Sequence, residues 1–425
     1  MSRLPDDVRE LAERIGPRGT GTSAERAAAD FVAARLAALG LPVARSSFRA
    51  VRSQNAFPLA SVALALVAVA AYPLGPGGRW AAAALALATA PLLWRAIRLS
   101  TSPVRTLLPK VPSGNVVATV APRGPAAARV VVLAHLDTNR MRLAWRSGGV
   151  RWLEPLTWLT LAVFGALGVA YLGGAVLGAA GDGAAAPWWP PADAAGWLWW
   201  ASLVPAAYVA GMLVTLVRDD LTPYSPGAHD NAASVSVALD VARRLAAAPL
   251  DATEVVLAFT GAEETDHAGL HDLLRADRAR LREAAFLGLE GLGSGELVYL
   301  TRHGLCDHVR ADPGLLTLLG RVAERRPELG AAPAEMTEED EVTNLRRLGY
   351  RAVCIAGRDG ATGTIPHWHR PDDTADTVSP GFMERAAAFV HAALEDIDAG
   401  ARPAGTDEET AVTADEKERL TCARS

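Results

Sequence analysis

Three short apolar runs of the 425-residue sequence end in residues that bind metal ions or move protons. ARVVVLAHLDT reaches His135 and Asp137, TEVVLAFTGAEE reaches Glu263 and Glu264, and AAFLGLEG reaches Glu290. An apolar strand that delivers an imidazole at its exit suits a metal ligand, and an aspartate two residues later can orient the ring by accepting its second N–H. Elsewhere, SPGAHDNAASVSVALDVARRL sets Asp230 and Asn231 at a loop-to-helix junction, and TIPHWHRPDDTADTVSP carries His367, His369, Asp372 and Asp373 ahead of a last helix. Taken singly, each has a plain structural reading: a strand-end histidine beside a surface acid, glutamates favoured by a helix dipole, an N-cap aspartate, histidines in a proline-rich loop. Taken together, two histidines, a loop aspartate, a strand-end glutamate pair and a further carboxylate are what a two-metal hydrolytic site requires, with one carboxylate bridging and one glutamate free as base.

In chain order, HLD, GAHDN, GAEE, GLEG and the H-x-x-x-D-T of HWHRPDDT resemble the signature series of the M28 family of zinc metallopeptidases, aminopeptidase-type enzymes with two co-catalytic zinc ions. IGPRGTGTSAERAAADFVAARLAALGLPV is similar to that family's N-terminal helix and strand, and EEDEVTNLRRLGYRAVCIAG to the segment before its last histidine. The resemblance covers about residues 1–52 and 100–399. It implies that Asp230 bridges two Zn2+ ions, that His135 and Glu290 complete one site, and that Glu264 and His369 complete the other. Glu263 would be the general base, Asp137 would orient His135, and Asn231 would shape the loop around the bridge. His369 stands four residues before the Asp373-Thr374 pair as the family pattern requires, which leaves His367 as a neighbour. Many members carry aspartate where this chain has Glu290; either carboxylate ligates zinc through oxygen. Another divalent ion is compatible with the same donors.

The reaction implied is hydrolysis of a peptide bond, most simply by an aminopeptidase acting on a peptide with a free N-terminus, with Glu263 taking the proton of a zinc-bridging water. A related amide hydrolase or cyclase acting on a modified or lipid-linked amine shares every ligand. A non-catalytic receptor or scaffold on a peptidase fold is disfavoured, because base and ligands are all present.

The elements that must position these residues are the β-branched or apolar runs GNVVATV, ARVVVLAHLD, TEVVLAFTG, AAFLGLEG and YRAVCIAG, with helical stretches between several of them. This alternation predicts a three-layer α/β sandwich with a mostly parallel mixed sheet, and the resemblance makes it one of zinc aminopeptidase type. The site then lies beyond the carboxyl ends of the strands. Ahead of the sheet, Ser23 is expected to cap a helix that closes at Gly40.

The composition is 50% hydrophobic and 21% charged with a net charge of −5. Its 42 Lys and Arg are spread along the chain rather than gathered into a basic face, which argues against nucleic acid as a partner. Cys306, Cys354 and Cys422 form neither a disulfide framework nor a CxxC knuckle and fit a reducing compartment. The first 55 residues do not read as a cleaved signal peptide.

A mean hydropathy of +0.14 comes from four charge-free runs. The first, between Asn55 and Arg79, holds about 23 residues, the third, after Glu154, about 27, and the fourth, Ala194 to Val217, about 24, each long enough to cross a bilayer. The second, Trp80 to Trp94, spans about 22 Å and crosses only if Arg79 and Arg95 snorkel. Buried core helices are the alternative. Paired as two transmembrane hairpins over 56–97 and 153–217, the runs interrupt a catalytic domain made of 1–55, 98–152 and 218–400. Residues 401–425, with almost nothing to bury, are expected to be a disordered tail. Arg52, Arg95, Arg98, Arg105, Lys110, Arg140, Arg151 and Arg218 flank the runs on the catalytic side, while the far connections carry Arg79, Asp182 and Asp193. By the positive-inside rule this predicts a multi-pass integral membrane protein with its catalytic domain in the cytoplasm.

Overall fold

The computed structural model describes residues 3–99, 103–142, 149–180 and 194–401. Among these residues eleven strands form: β1 (Val43–Arg45), β2 (Phe48–Val51), β3 (Lys110–Ser113), β4 (Val116–Val120), β5 (Ala128–His135), β6 (Thr253–Thr260), β7 (Ala285–Glu290), β8 (Glu296–His303), β9 (Val309–Arg310), β10 (Ala332–Met336) and β11 (Arg351–Arg358). The main sheet runs in the order β1-β4-β6-β5-β7-β11-β8-β10, with β9 paired to β8. Its centre, β6-β5-β7-β11, is parallel, while β1, β4 and β8 join their neighbours on this path antiparallel at β1-β4, β4-β6 and β11-β8. The expected three-layer sandwich is therefore what the chain forms.

Alternation along the central strands builds the layers. Val130, Val132 and Ala134 of β5 face one hydrophobic core, and Val131 and Leu133 face the other. The helices are α1 (Leu4–Arg9), α2 (Ser23–Ala37), α3 (Ala56–Ala71), α4 (Gly75–Leu99), α5 (Leu153–Ala180), α6 (Ala194–Asp220), α7 (Ser234–Ala247), α8 (Glu263–Asp266), α9 (Ala268–Ala276), α10 (Arg278–Leu281), α11 (Pro313–Arg325), α12 (Glu341–Arg347) and α13 (Pro380–Ala401). Residues of α2, α7, α11 and α13 fill the first core, and residues of α9 and α12 the second. The cap of α2 is Thr22 rather than Ser23: its hydroxyl accepts the Glu25 N–H at 3.2 Å, so Ser23 opens the helix one position later.

The four apolar runs form α3 to α6, but their division differs from the one expected. Pro73 and the left-handed Gly75 (φ 87°) break the first run, so α3 has 16 residues and α4, with Pro91 inside it, has 25. Among the described residues, the helices long and apolar enough to cross a membrane are those over 75–98, 149–180 and 195–220, and α3 is shorter. The second run is thus the longer helix of its hairpin. The stretch 181–193 between the third and fourth runs, and the expected tail beyond Ala401, lie outside the described residues.

Each insertion leaves and re-enters the domain at one place. The first is held by β2 and β3, which pair antiparallel from Phe48 opposite Ser113 to Val51 opposite Lys110. The second is closed where the Met141 N–H donates to the Pro223 carbonyl at 2.8 Å and the Thr222 hydroxyl donates to the Met141 carbonyl at 2.8 Å. At the catalytic end the Asn55 amide donates to the Leu216 carbonyl and to Asp220, tying α3 to α6, and Arg98 pairs with Asp307. At the opposite end the Tyr72 hydroxyl donates to the Ala195 carbonyl at 2.9 Å.

Candidate metal centre

The parallel registers bring the motifs together. His135, the last residue of β5, lies opposite Thr260 of β6, and Glu290 ends β7 on the other side of β5. Beyond Thr260 the chain turns through Gly261 and the left-handed Ala262 (φ 54°) into α8, whose first two residues are Glu263 and Glu264. A Cβ at Gly261 would come within 2.5 Å of the Ser113 hydroxyl and 2.7 Å of the Gly114 carbonyl, so only glycine fits this turn without displacement.

Asp230 is central. One carboxylate oxygen lies 3.1 Å from His135 Nε2 and the other 3.1 Å from His369 Nε2. Glu290 approaches the same His135 nitrogen at 3.5 Å, and Glu264 approaches His369 Nε2 at 3.3 Å. Two buried three-residue groups result, His135-Asp230-Glu290 and Asp230-Glu264-His369, each with its donor atoms within 4.8 Å of one another. A third group, His135-Glu263-Glu264, overlaps them. His369 is also left-handed (φ 52°), a backbone state that costs about 1–3 kcal/mol for a non-glycine residue and recurs at functional sites.

Neighbouring side chains fix these donors. Asn231 donates to Glu290 at 3.0 Å and to the Leu289 carbonyl at 3.0 Å, and Asn139 donates to Glu264 at 2.8 Å. Asp373 accepts the backbone N–H of His229 at 2.7 Å and that of Asp230 at 3.3 Å, holding the loop of the bridging residue. Asp137 meets His135 chiefly through its backbone. His135 Nδ1 faces the Asp137 backbone carbonyl at 3.0 Å, with the carboxylate 3.7 Å away. That carboxylate also accepts the backbone N–H groups of Glu263 at 3.0 Å and Glu264 at 3.2 Å and the Thr20 hydroxyl at 2.7 Å. His367 stands outside the groups, its Nδ1 3.0 Å from Asp372 and its ring 5.0 Å from that of His229.

The electrostatics are those of a cation site. Burial opposes the charged form of His369, but Glu264 and Asp230 outweigh it and push the imidazole up to about 9; His135 is raised in the same way by Glu290 and Glu263 against its burial. Burial pushes Glu290 up to about 7 and Glu263 well above the usual carboxylate range. Buried carboxylates crowded like this require positive charge, and protons on the histidines supply it where divalent ions would do so at lower proton content. Glu264 Oε1 is buried with no hydrogen-bond partner among the described residues, which leaves a lone-pair donor of this carboxylate for a cation. The donor set fits zinc: imidazole nitrogens and carboxylate oxygens, three per ion, leaving a position open on each.

Two further residues contribute that the sequence motifs do not contain. Arg18 is fully buried and donates to the carbonyls of Leu11, Gly16, Leu136, Pro226 and Gly227, stitching the N-terminal segment to the loops after His135 and before Asp230. His267 Nε2 lies 3.2 Å from Glu263 Oε1, and burial lowers that imidazole to about 3. The spacing Glu263-x-x-x-His267 at the start of a helical stretch was the only sequence signal for this pair.

The sequence model of Peptidase family M28 matches residues 217–394, which contain Asp230, Glu263, Glu264, Glu290 and His369. No curated protein matches the sequence. Among solved structures, the zinc aminopeptidase of Bacillus subtilis aligns with a TM-score of 0.54 at 15% identity, covering 93% of this chain and 94% of that one. The aminopeptidase of Aneurinibacillus sp. strain AM-1 aligns with a TM-score of 0.54 at 14% identity, covering 92% of each chain. The glutaminyl cyclase of Bacteroides thetaiotaomicron aligns with a TM-score of 0.53 at 14% identity, covering 92% of this chain and 96% of that one. At such identities these likenesses establish the fold, that of zinc aminopeptidases and glutaminyl cyclases.

Proposed function

We propose that this chain is a membrane-anchored di-zinc aminopeptidase whose catalytic domain faces the cytoplasm. One observation carries the chemistry: two buried ligand groups share the two oxygens of Asp230, with Glu263 beside them. His135, Glu290 and one Asp230 oxygen would hold one ion, and His369, Glu264 and the other oxygen would hold the second. Zinc bound there supplies Lewis-acid polarisation of a carbonyl and lowers the pKa of water. Glu263, raised by burial, takes the proton of the attacking water and returns it to the leaving amine. With the Asn344 amide donating to His267 Nδ1, the His267 Nε2–H is directed at Glu263 and steadies its carboxylate. Asp137 fixes the turn that carries both glutamates.

Membrane anchoring rests on three long apolar helices and on the apolar outer faces of the helix group. Val204 is 78% exposed, Val169 69%, Trp197 69% and Val214 68%. Apolar faces of this extent mark a membrane or an interaction surface. The arginine distribution favours the cytoplasmic orientation.

The fold likeness to glutaminyl cyclases supports a second reading, attack by a substrate's own amine on its side-chain amide. Metal analysis of detergent-purified protein, with a panel of N-terminally free, N-terminally blocked and N-terminal glutamine peptides, separates the two. The aminopeptidase reading expects two equivalents of zinc, release of the first residue from free peptides and none from blocked ones. Ammonia release confined to the glutamine peptides would replace it with the cyclase, and cleavage of blocked and free peptides alike would overturn both.

A further inference from the structure

The metal centre lies at the floor of a cavity of about 680 Å³ that continues between the apolar helices. At one end it is lined by His135, Asp230, Glu264, Glu290 and His369, at the other by Leu93 and Ile97 of α4, Leu156 and Thr160 of α5, and Gly211 and Met212 of α6. The spacings of four residues in α4 and α5 show that one face of each helix is turned to the cavity. The Thr160 and Tyr208 hydroxyls, both in its wall, meet at 2.9 Å. Thr160 is seven residues from the start of α5, so the chamber reaches about 10 Å along that helix.

Farther along α5 and α6 the side chains pack on one another. Phe164 and Tyr171 are fully buried, the Tyr171 hydroxyl meets Ser202 at 2.7 Å, and the Trp199 indole donates to the Val69 carbonyl at 2.8 Å. The cavity-lining positions of α5 thus lie toward the catalytic end, ahead of these buried aromatic residues. At Gly211 an added Cβ would meet nothing within 4 Å. The polar end of the cavity is strongly acidic. Besides the ligands it holds Glu338 and Asp340, both buried, and neither Glu338 oxygen has a hydrogen-bond partner among the described residues.

We propose that the substrate is an amphiphile: a free amine and scissile amide at the acidic end, and on the leaving-group side an apolar chain that occupies the chamber between α4, α5 and α6. The inference rests on the aminopeptidase reading and names its substrate class. The acids complement an ammonium group. The chamber walls complement a hydrocarbon or apolar side chains, whose removal from water favours binding in proportion to the area buried. The apolar chain comes from an alkyl group or from an apolar peptide segment, two sources with the same chemistry toward these walls.

The test uses the full-length protein reconstituted in phosphatidylcholine vesicles with zinc bound. Leucinamide is compared with N-dodecyl leucinamide and with leucine followed by an apolar pentapeptide. Either tailed compound should exceed leucinamide in kcat/KM by at least about tenfold, the equivalent of roughly two buried methylenes, and the gain should lie in KM. The tail that shows the gain identifies the source. Gly211→Trp, and independently Leu93→Trp on α4, should bring the tailed-to-untailed ratio down toward one while zinc content stays at two equivalents. Equal kcat/KM for all three compounds, or a ratio unaltered in both zinc-loaded variants, overturns the proposal while leaving the aminopeptidase reading intact. Absence of hydrolysis of all three by zinc-loaded protein overturns that reading itself.

Discussion

The carboxylate of Asp137 accepts the backbone N–H of Glu263 at 3.0 Å, so the strand end that carries His135 also fixes the turn that carries Glu263. The Glu264 N–H adds to the same carboxylate at 3.2 Å. Asp137→Asn keeps the size but replaces one acceptor oxygen with a donor that faces a backbone N–H or the Thr20 hydroxyl. Activity is expected to fall about 10–100-fold, the usual effect of disturbing groups that orient metal-site residues. Asp137→Asn should also weaken the site built on Glu264 more than the site built on Glu290, because Glu290 is held by Asn231 instead. Zinc titration with a competing chelator reads this difference, and equal weakening of both sites would contradict it.

Glu263→Gln should reduce turnover by about 10²–10⁴-fold with both metals retained, because it removes a base and no ligand. The pH dependence follows from burial, which raises the Glu263 carboxyl well above 4.5, with the charge of His135 pulling it back and Glu264 pushing it further up. The working form is the ionised one. Activity is therefore present at high pH and lost as pH falls through the raised value, which places the acid limb of kcat/KM above 4.5. A limb at or below the ordinary glutamate value would assign the proton transfer to another group.

Removing the shared ligand should differ in kind from removing the base. Asp230→Ala is expected to lose both metals and activity together, whereas Glu290→Asp should keep measurable activity and Glu290→Ala should not. The two histidines of the Pro-rich loop separate likewise. His369→Ala should deplete zinc, while His367→Ala, which loses the contact to Asp372 and the tilted ring contact with His229, should change activity modestly. Metal content by atomic emission beside peptide turnover distinguishes these cases.

Sequence reading picked out the residues that gather in these groups because their types sit at the ends of strongly apolar strands, and parallel pairing aligns such ends on one edge of a sheet. It did not foresee that the Asp137 carboxylate accepts the Glu263 and Glu264 N–H groups, because β5 stops at His135 and the turn that brings those N–H groups to Asp137 exists only in the folded chain. Thr22 and Ser23 are equally able to cap α2, and only the backbone decides between them. In the first apolar run, composition measured charge-free length and passed over Pro73, which sets where α3 stops. Arg18 belongs to no motif, since its partners are carbonyls contributed by three separate segments, at Leu11, at Leu136 and at Pro226–Gly227. The chamber beside the metal centre arises from faces of three helices that meet only in the folded chain.

The orientation in the membrane is open to direct labelling. Tyr72 and Ala195 are joined at the end of the helix group remote from the metal centre, and Leu74, 64% exposed in the turn between α3 and α4, lies at that end. The paired strands β2 and β3 and the Met141–Pro223 contact return each insertion to its starting side, so the chain on both sides of every hairpin stays with the catalytic domain. The native Cys306 makes a poor reporter for that domain, because burial pushes its thiol up to about 12 and leaves little thiolate to react. An engineered pair avoids this: Leu74→Cys for the far end and Glu328→Cys, 64% exposed in its side chain on the catalytic domain, in a background with Cys306 and Cys422 changed to serine. With the catalytic domain in the cytoplasm, an impermeant maleimide added to intact cells should label Leu74→Cys and spare Glu328→Cys until the membrane is permeabilised. Labelling of Glu328→Cys alone on intact cells would invert the orientation and place the substrate pool outside the cytoplasm. Equal labelling of both on intact cells would mean that the helix group does not cross the bilayer.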